Sequence, residues 1–384
     1  MTSEVVFYDQ TNLHELVWPD TPDGRYGRAY LEPLMREGVT SYITNVQTVL
    51  QAAAIGDLIL PLTINEGEYG NAYVVSPYTH YVSYAKQELL LLKSPLLEKG
   101  LSVLLDGLGY GMKKSYFNRV VHINNWLLST NLFPEVKGEQ LLAVLEAVQE
   151  RYPKHAIVIR SLCASLHEEL MDSLRARGCK LVPSRQIYMY HANEPGFGNA
   201  KARWLLKRDY ELMAKQGYDF VSAAEMTEAD IPRIAELYKL LYLDKYSLHN
   251  PQFSEGYIAL AKEAGILQLY GLRRDGRLDA VMGYFCRNGV MTTPLFGYDT
   301  TLPQSVGLYR MLSACLIRQS RENGHLLHES AGAAQFKRNR GAIPDFEYSA
   351  VYDRHLPLGR RWVWSLLEGL LIKVGVPLMR KLKL

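Results

Sequence analysis

The run ILQLYGLRRDGRLDAVMGYFCRNGVMTTPLFGY, residues 266–298, decides the fold. Asp275-Gly276 and Asn288-Gly289 cut it into three strand-like segments, 266–273, 278–287 and 290–298. Asp-Gly and Asn-Gly are the dipeptides of two-residue hairpins, whose central positions both need positive φ, so an antiparallel meander is predicted. Downstream, the apolar spacing predicts a helix over 305–322, ended at Asn323-Gly324. A short strand at 325–329, an Ala/Gly loop, a helix over 334–340 and a last strand at 346–353 follow. Upstream, helices are predicted over 201–216, 227–242 and 253–264, the second opened by a capping box of Thr227 with Asp230.

Working further back, 41–64 reads as a hairpin broken at Gly56-Asp57, and 69–75 as another strand. Helices are expected over 81–93, 96–105, 139–151 and 166–177, the last closed by Gly178. Strands are expected at 155–160 and 185–191. Both halves are therefore α/β, of the α+β kind, each a mixed, mostly antiparallel sheet flanked by helices. The segment ANEPGFGNAK, 192–201, has no periodicity and is the linker candidate. The expected domains are 1–195, 196–357 and a C-terminal amphipathic basic helix over 358–384.

A length of 384 residues suits two domains, and 48% hydrophobic with 22% charged residues supplies material for their cores. The formal net charge of +3 is too small for nucleic-acid binding by bulk electrostatics, so any polyanion site must be local. Cys163, Cys179, Cys286 and Cys315 are scattered, without C-x-x-C or zinc-finger spacing, which argues against metal and disulfide roles and for buried thiols. MTSEVVFYDQ lacks a basic n-region and an apolar h-region, so a cytoplasmic location is expected.

The glycines of 107–111 (GLGYG) lack the spacing of a dinucleotide fingerprint and are expected to carry turns. Residues 361–384 combine apolar bulk with Arg361, Lys373, Arg380, Lys381 and Lys383 against the single Glu368. Such a helix packs back on the second domain or makes a peripheral membrane contact.

The chemistry centres on the junction between meander and helix, Gln304-Ser305-Val306-Gly307-Leu308-Tyr309. A helix N-terminus carries unpaired N–H groups and partial positive charge, a receptor for a pyrophosphate. Gln304-x-x-Gly307 matches two fixed positions of the Q/R-x-x-G-x-G/A loop of the GNAT superfamily, with Tyr309 where that loop has a small residue. HLLHESAGAAQFKRNRG, 325–341, resembles the C-terminal signature of the FemAB-like branch through Phe336, Lys337 and Gly341, and the region around Lys245, Tyr246 and Asn250 resembles its acceptor-side helix junction. The resemblance is best over 201–357 and implies two GNAT-like domains, the first degenerate.

It also implies an N-acyltransferase that moves an acyl group from an acyl-CoA or carrier-protein thioester to a small amine, without a metal. An aminoacyl-tRNA donor is the other reading within that chemistry, and a non-catalytic metabolite- or partner-binding module the reading outside it. Lys337 is then the cationic donor to developing charge, Glu329 the base and Tyr298 a catalytic partner. Residues 304–309 hold the acyl-CoA, and Asp299, His328, Tyr246 and Asn250 hold the acceptor.

Overall fold

The computed structural model describes residues 4–89, 95–191 and 198–382, which fall into two compact units. Unit 1 takes the chain up to 184 together with 247–252 and 346–381; unit 2 takes 185–246 and 253–345. Positions 192–197 of the linker candidate and 90–93 of the helix expected over 81–93 lie outside the described residues.

In chain order the elements begin β1 (Val6–Tyr8), α1 (Pro22–Glu37), β2 (Val49–Ile55), β3 (Leu58–Asn65), α2 (Ala85–Glu88), α3 (Pro95–Lys114) and β4 (Val120–Ile123). Next come α4 (Gly138–Arg151), β5 (Ala156–Cys163), α5 (Ala164–Arg177), β6 (Lys180–Tyr190), α6 (Ala200–Lys215), β7 (Asp219–Ser222), α7 (Ile231–Tyr238) and α8 (Glu255–Glu263). The meander is β8 (Gln268–Arg274), β9 (Arg277–Arg287) and β10 (Val290–Tyr298). The chain continues with α9 (Leu308–Glu322), β11 (Leu326–His328), α10 (Ala334–Asn339), β12 (Ile343–Tyr352), α11 (Leu358–Leu370) and α12 (Val376–Leu382).

The two units repeat one pattern of strand directions. In unit 1, β1 to β4 pair antiparallel in sequence, β4 pairs parallel with β5, and β5 pairs antiparallel with β12. In unit 2, β7 to β10 pair antiparallel in sequence, β10 pairs parallel with β11, and β11 pairs antiparallel with β6. Each parallel step crosses through a helix, α4 or α9, as parallel pairing requires. The closing strand of each set comes from the other half of the sequence. Residues 347–352 of β12 complete unit 1, and Met189 and Tyr190 of β6 complete unit 2.

Local chemistry accounts for most boundaries. Both meander turns hold two residues at positive φ, Asp275 (50°) with Gly276 (79°) and Asn288 (49°) with Gly289 (71°), as the hairpin dipeptides required. Gly178, at φ 96°, caps α5 in the left-handed conformation. Asp230 accepts from the Thr227 backbone N–H at 2.8 Å, but the helix it opens is α only to Tyr238 and widens to a π-turn over Lys239–Tyr246.

Two expectations need correction. Residues 69–75 form turns: Asn71 N–H donates to Glu68 O, Val75 N–H to Ala72 O and Ala72 N–H to Asn45 O, so buried backbone is satisfied without a ladder. The glycines of 107–111 sit inside α3, and two of them, Gly109 and Gly111, serve close packing. A Cβ on Gly109 would lie 3.1 Å from Tyr78 Oη, and one on Gly111 3.1 Å from the Trp362 ring. Of the four cysteines, three are buried as expected, whereas Cys286 is exposed on β9.

Unit 1 holds two apolar clusters, one around Leu60, Ile123, Leu145 and Ile159, the other around Met112, Phe117, Val351 and Trp364. The unit 2 core lies between the meander and α9, with Leu272, Met282, Met291, Met311 and Leu312 at its centre.

Candidate functional site

The site grows from the place where β10 and β11 part. They pair only at Val290–Leu326, Met291–Leu327 and Thr292–His328, while β10 runs on to Tyr298. A bulge lies in β10 between Thr292 and Leu295, and Pro294 within it has no N–H to give a ladder. The strands therefore splay, and the apex is tied by Thr292 Oγ1 donating to His328 O at 3.3 Å. Beyond it, among the described residues, no strand pairs with the β11-facing edge of 295–298.

The junction entering α9 differs from expectation by three residues. Gln304–Val306 is a 3-10 turn, Gly307 is left-handed at φ 81°, and α9 starts at Leu308. Val306 and Gly307 spend their N–H groups on Pro303 O and Gln304 O. The helix-start amides without an intrahelical acceptor are those of Leu308, Tyr309 and Arg310, because the first return bond is Met311 N–H to Gly307 O. Gly307 is required twice, by its φ and because a Cβ there would meet Leu212 Cδ2 of α6 at 2.6 Å. Gly307→Ala is accordingly expected to cost about 1–3 kcal/mol in denaturant unfolding.

Arg310 adds a cation to this helix entrance, and its orientation is fixed from below. Asp209 of α6, with no solvent exposure, accepts from Arg310 at 2.5 and 2.8 Å, from Arg340 Nε at 2.8 Å and also from the Arg340 terminal nitrogen. A buried carboxylate is tolerated where cations and hydrogen bonds satisfy it. It ties α6, α9 and the end of α10 together, and sequence reasoning missed it.

Tyr309, in the position of the expected small residue, turns its ring onto the wedge. Its centroid lies 4.7 Å from Phe336, 5.7 Å from Phe296 and 6.1 Å from Tyr298. Burial raises its hydroxyl above the ordinary tyrosine range, with the Glu329 carboxylate and the Tyr246 and Tyr242 hydroxyls adding to the shift. Tyr298 Oη accepts from Lys245 Nζ at 2.9 Å, a contact that raises the lysine and keeps it charged. Tyr246 beside it is half exposed. Tyr298, Tyr309, Tyr246 and Glu329 are thus brought together with Lys245, which the acceptor-side junction had included without a role of its own.

Glu329 follows β11 and donates its backbone N–H to Tyr188 O. Its Oε2 is sealed from solvent and has no hydrogen-bond partner. Burial pushes its carboxyl well above the usual carboxylate range, opposed by Lys337 and Arg340. Burial likewise pushes Lys337 down, against the pull of Glu329.

Lys337 is buried on α10, but its N–H groups are spent. They go to Glu329 O at 2.6 Å, Ala331 O at 2.9 Å and Ser330 O at 3.4 Å. The loop is strained, with Ser330 (59°), Gly332 (79°) and Ala333 (49°) at positive φ, and the ammonium gathers the carbonyls that this turn points inward. Lys337 therefore spends its donors on the carbonyls of the loop that carries Glu329, where the sequence reading had it as a donor to developing charge. Lys337→Met is expected to lower stability by about 1–3 kcal/mol, since those carbonyls lose their donor.

Three expected acceptor residues are placed otherwise. Asp299 is buried, and both its oxygens are taken by Arg233 (2.6 Å), Arg277 (2.7 Å) and the Thr301 hydroxyl and N–H. Burial works against its ionisation, but the hydrogen bonds from Thr301 and Arg233 hold its carboxyl below the usual range. His328 is buried, with Nδ1 accepting from Ser330 N–H, and shapes the loop. Asn250 belongs to unit 1, where its carbonyl accepts from Asn45 Nδ2 at 2.8 Å.

The wedge thus brings together a splayed parallel pair, a helix N-terminus at its mouth and, just past the shorter strand, the Glu329 carboxyl. Residues 200–338, most of unit 2, match the family described as acetyltransferase (GNAT) domain. No curated protein matched the chain. Among solved structures, it is similar to L-PGS from Bacillus licheniformis (16% identity, 60% of this chain and 78% of that one, TM-score 0.45). It is also similar to the C-terminal domain (DUF2156) of a putative lysylphosphatidylglycerol synthetase from Agrobacterium fabrum (13%, 61% and 78%, TM-score 0.44). FemX matches at 11% identity over 60% of this chain and 80% of that one, TM-score 0.44.

Proposed function

We propose that unit 2 is a FemAB-like N-acyltransferase that moves an acyl group from an acyl-CoA or carrier-protein thioester to an amine. The observation that carries this is the Glu329 carboxyl, with an uncommitted Oε2 and a raised pKa, beside the β10–β11 wedge. A base works best when its pKa lies near the working pH, and burial moves Glu329 in that direction. In the reaction the amine nitrogen attacks the thioester carbonyl, its proton passes to Glu329, the C–N bond forms and the C–S bond breaks. The Tyr298 hydroxyl, accepting from Lys245, retains its own proton for the departing thiolate. The edge of 295–298 offers N–H and C=O groups to an extended, amide-bearing donor arm and to the oxyanion. The amides of 308–310 with Arg310 receive the donor's phosphates. Unit 1, by its repeated strand pattern, is a second domain of the same type.

The experiment is a thermal melt of the full chain with acetyl-CoA and longer acyl-CoAs. At about 100 Kd of ligand the stabilisation is roughly 2.7 kcal/mol, a rise of roughly 5–10 °C. A flat response would remove the thioester donor.

One feature of unit 2 favours an aminoacyl-tRNA donor. Along α6, Lys201, Arg203, Lys207 and Arg208 accompany an exposed Trp204, on whose ring the Arg208 guanidinium stacks at 4.7 Å. Cations and an exposed aromatic suit a polynucleotide backbone. Salt-dependent retention of tRNA with no acyl-CoA shift would select that donor; silence in both assays would leave a binding module.

A further inference from the structure

The outward faces of two neighbouring helical elements in unit 1 carry exposed apolar side chains. On α3, Leu96, Val103 and Tyr110 recur every seven residues, on one face, and are 87%, 66% and 67% exposed. On the segment from α11 to α12, Trp362, Leu366 and Ile372 are 47–50% exposed. The two elements touch: Leu108 and Met112 of α3 share a core cluster with Val363, Trp364 and Leu367, and Gly111 faces the Trp362 ring. Their exposed residues thus lie on adjoining helices, in contact where Gly111 meets the Trp362 ring. Contiguous exposed apolar area of this kind marks an interaction site.

Charge says what covers it. The one acid of α11 and α12, Glu368, turns inward and accepts from Leu181 N–H at 3.0 Å. Outward there remain Lys373, Arg380 and Lys381, and α3 closes on exposed Lys113 and Lys114. Asp106, the acid on the outward side of α3, is neutralised by Lys86. Apolar side chains including Trp and Tyr, rimmed by unopposed cations, complement a surface that is greasy below and anionic above.

Residues Leu358–Lys381, 24 in all, are long enough to cross a bilayer and contain an 18-residue window of mean hydropathy 1.4, of which only 17% is buried. Val363, Trp364 and Leu367, however, are built into the unit 1 core, so this segment lies along the protein. We propose that α3 and the α11–α12 segment dock the protein on an anionic lipid bilayer, both helices lying in the interfacial plane. This stands independently of the acyl-transfer reading.

The test is cosedimentation of the full chain with vesicles of phosphatidylcholine alone or with about 30% phosphatidylglycerol. Binding is expected only to the anionic vesicles, and 0.5 M salt is expected to weaken it on the order of tenfold or more. The surface triple Lys373→Glu, Arg380→Glu, Lys381→Glu should bind at least ~10-fold more weakly, since each cation near such a membrane strengthens binding about fivefold. Leu366→Ser with Ile372→Ser should lose binding with an unchanged melting curve. Absence of binding, equal binding to neutral vesicles, or binding unaffected by either variant set would overturn the proposal. So would light scattering that shows a dimer of the wild type dissolved by the Leu366/Ile372 pair, because the face would then belong to a second copy of the chain.

Discussion

Glu329→Gln is expected to lower kcat by ~10²–10⁴-fold while leaving donor binding and the melting temperature nearly unchanged. The amide keeps the shape of the side chain but cannot take the amine's proton. The pH profile distinguishes this from a positioning defect. Because burial raises the Glu329 carboxyl, the base form appears only as pH rises through that elevated value, so kcat/KM of the wild type should climb with pH well above the ordinary carboxylate range and then level. In Glu329→Gln that limb should vanish. A limb retained in the variant would assign the titration, and the base, to another group. Lys337→Met should move the same limb upward, since it removes the charge that opposes burial at Glu329.

Asp209→Ala carries the largest expected loss of stability, about 3–5 kcal/mol, because it leaves the buried Arg340 and the half-buried Arg310 without their shared anion. Urea unfolding checks the magnitude, and a change in midpoint without a change in slope would identify lost native stability. Asp209→Asn should fall between, since the amide oxygen still accepts from one guanidinium. Freed of its anchor, Arg310 at the entrance to α9 should also hold an anionic donor less well, so KM rises in both variants. A loss under about 1 kcal/mol for Asp209→Ala would mean that solvent reaches the guanidinium groups and that the cluster is not the clamp described.

How much of this could be read in advance follows from which interactions are local. The meander was legible because Asp275-Gly276 and Asn288-Gly289 need positive φ whatever surrounds them, and the structure gives all four residues that conformation. The α5 cap at Gly178 was legible for the same reason, whereas thiol burial was not: Cys286 is exposed. The start of α9 was placed three residues early because Ser305 and Val306 suit a helix as well as they suit the 3-10 turn; the left-handed Gly307 decides the matter, and Leu212, distant in sequence, helps demand it. Pro294 was a usable signal for the splay of β10, and α1 announced itself through Thr21 before Pro22, whose hydroxyl accepts from Gly24 N–H at 3.0 Å. Neither was read.

The rest was hidden by distance. Asp209 pairs with Arg310 and Arg340, more than a hundred residues away, and nothing in its own helix distinguishes it from a solvated acid. The exchange of closing strands between the halves depends on β5 choosing β12 and β11 choosing β6, a choice that strand patterning does not encode. Asp299 and His328 have the chemistry of site residues and were grouped with the acceptor on that ground. Their neighbours Arg233, Arg277 and Ser330 give them scaffolding roles instead.

Hydrogen exchange of the full chain, read by mass spectrometry with and without saturating acyl-CoA, reports most directly on whether the wedge and the α9 entrance form one donor site. Slowed exchange confined to 295–312 and 329–338 is the expected result, with Glu329→Gln showing the same protection and no turnover. Ligand-dependent protection elsewhere with these segments unchanged, or no protection at a saturating concentration, would contradict the assignment of the site.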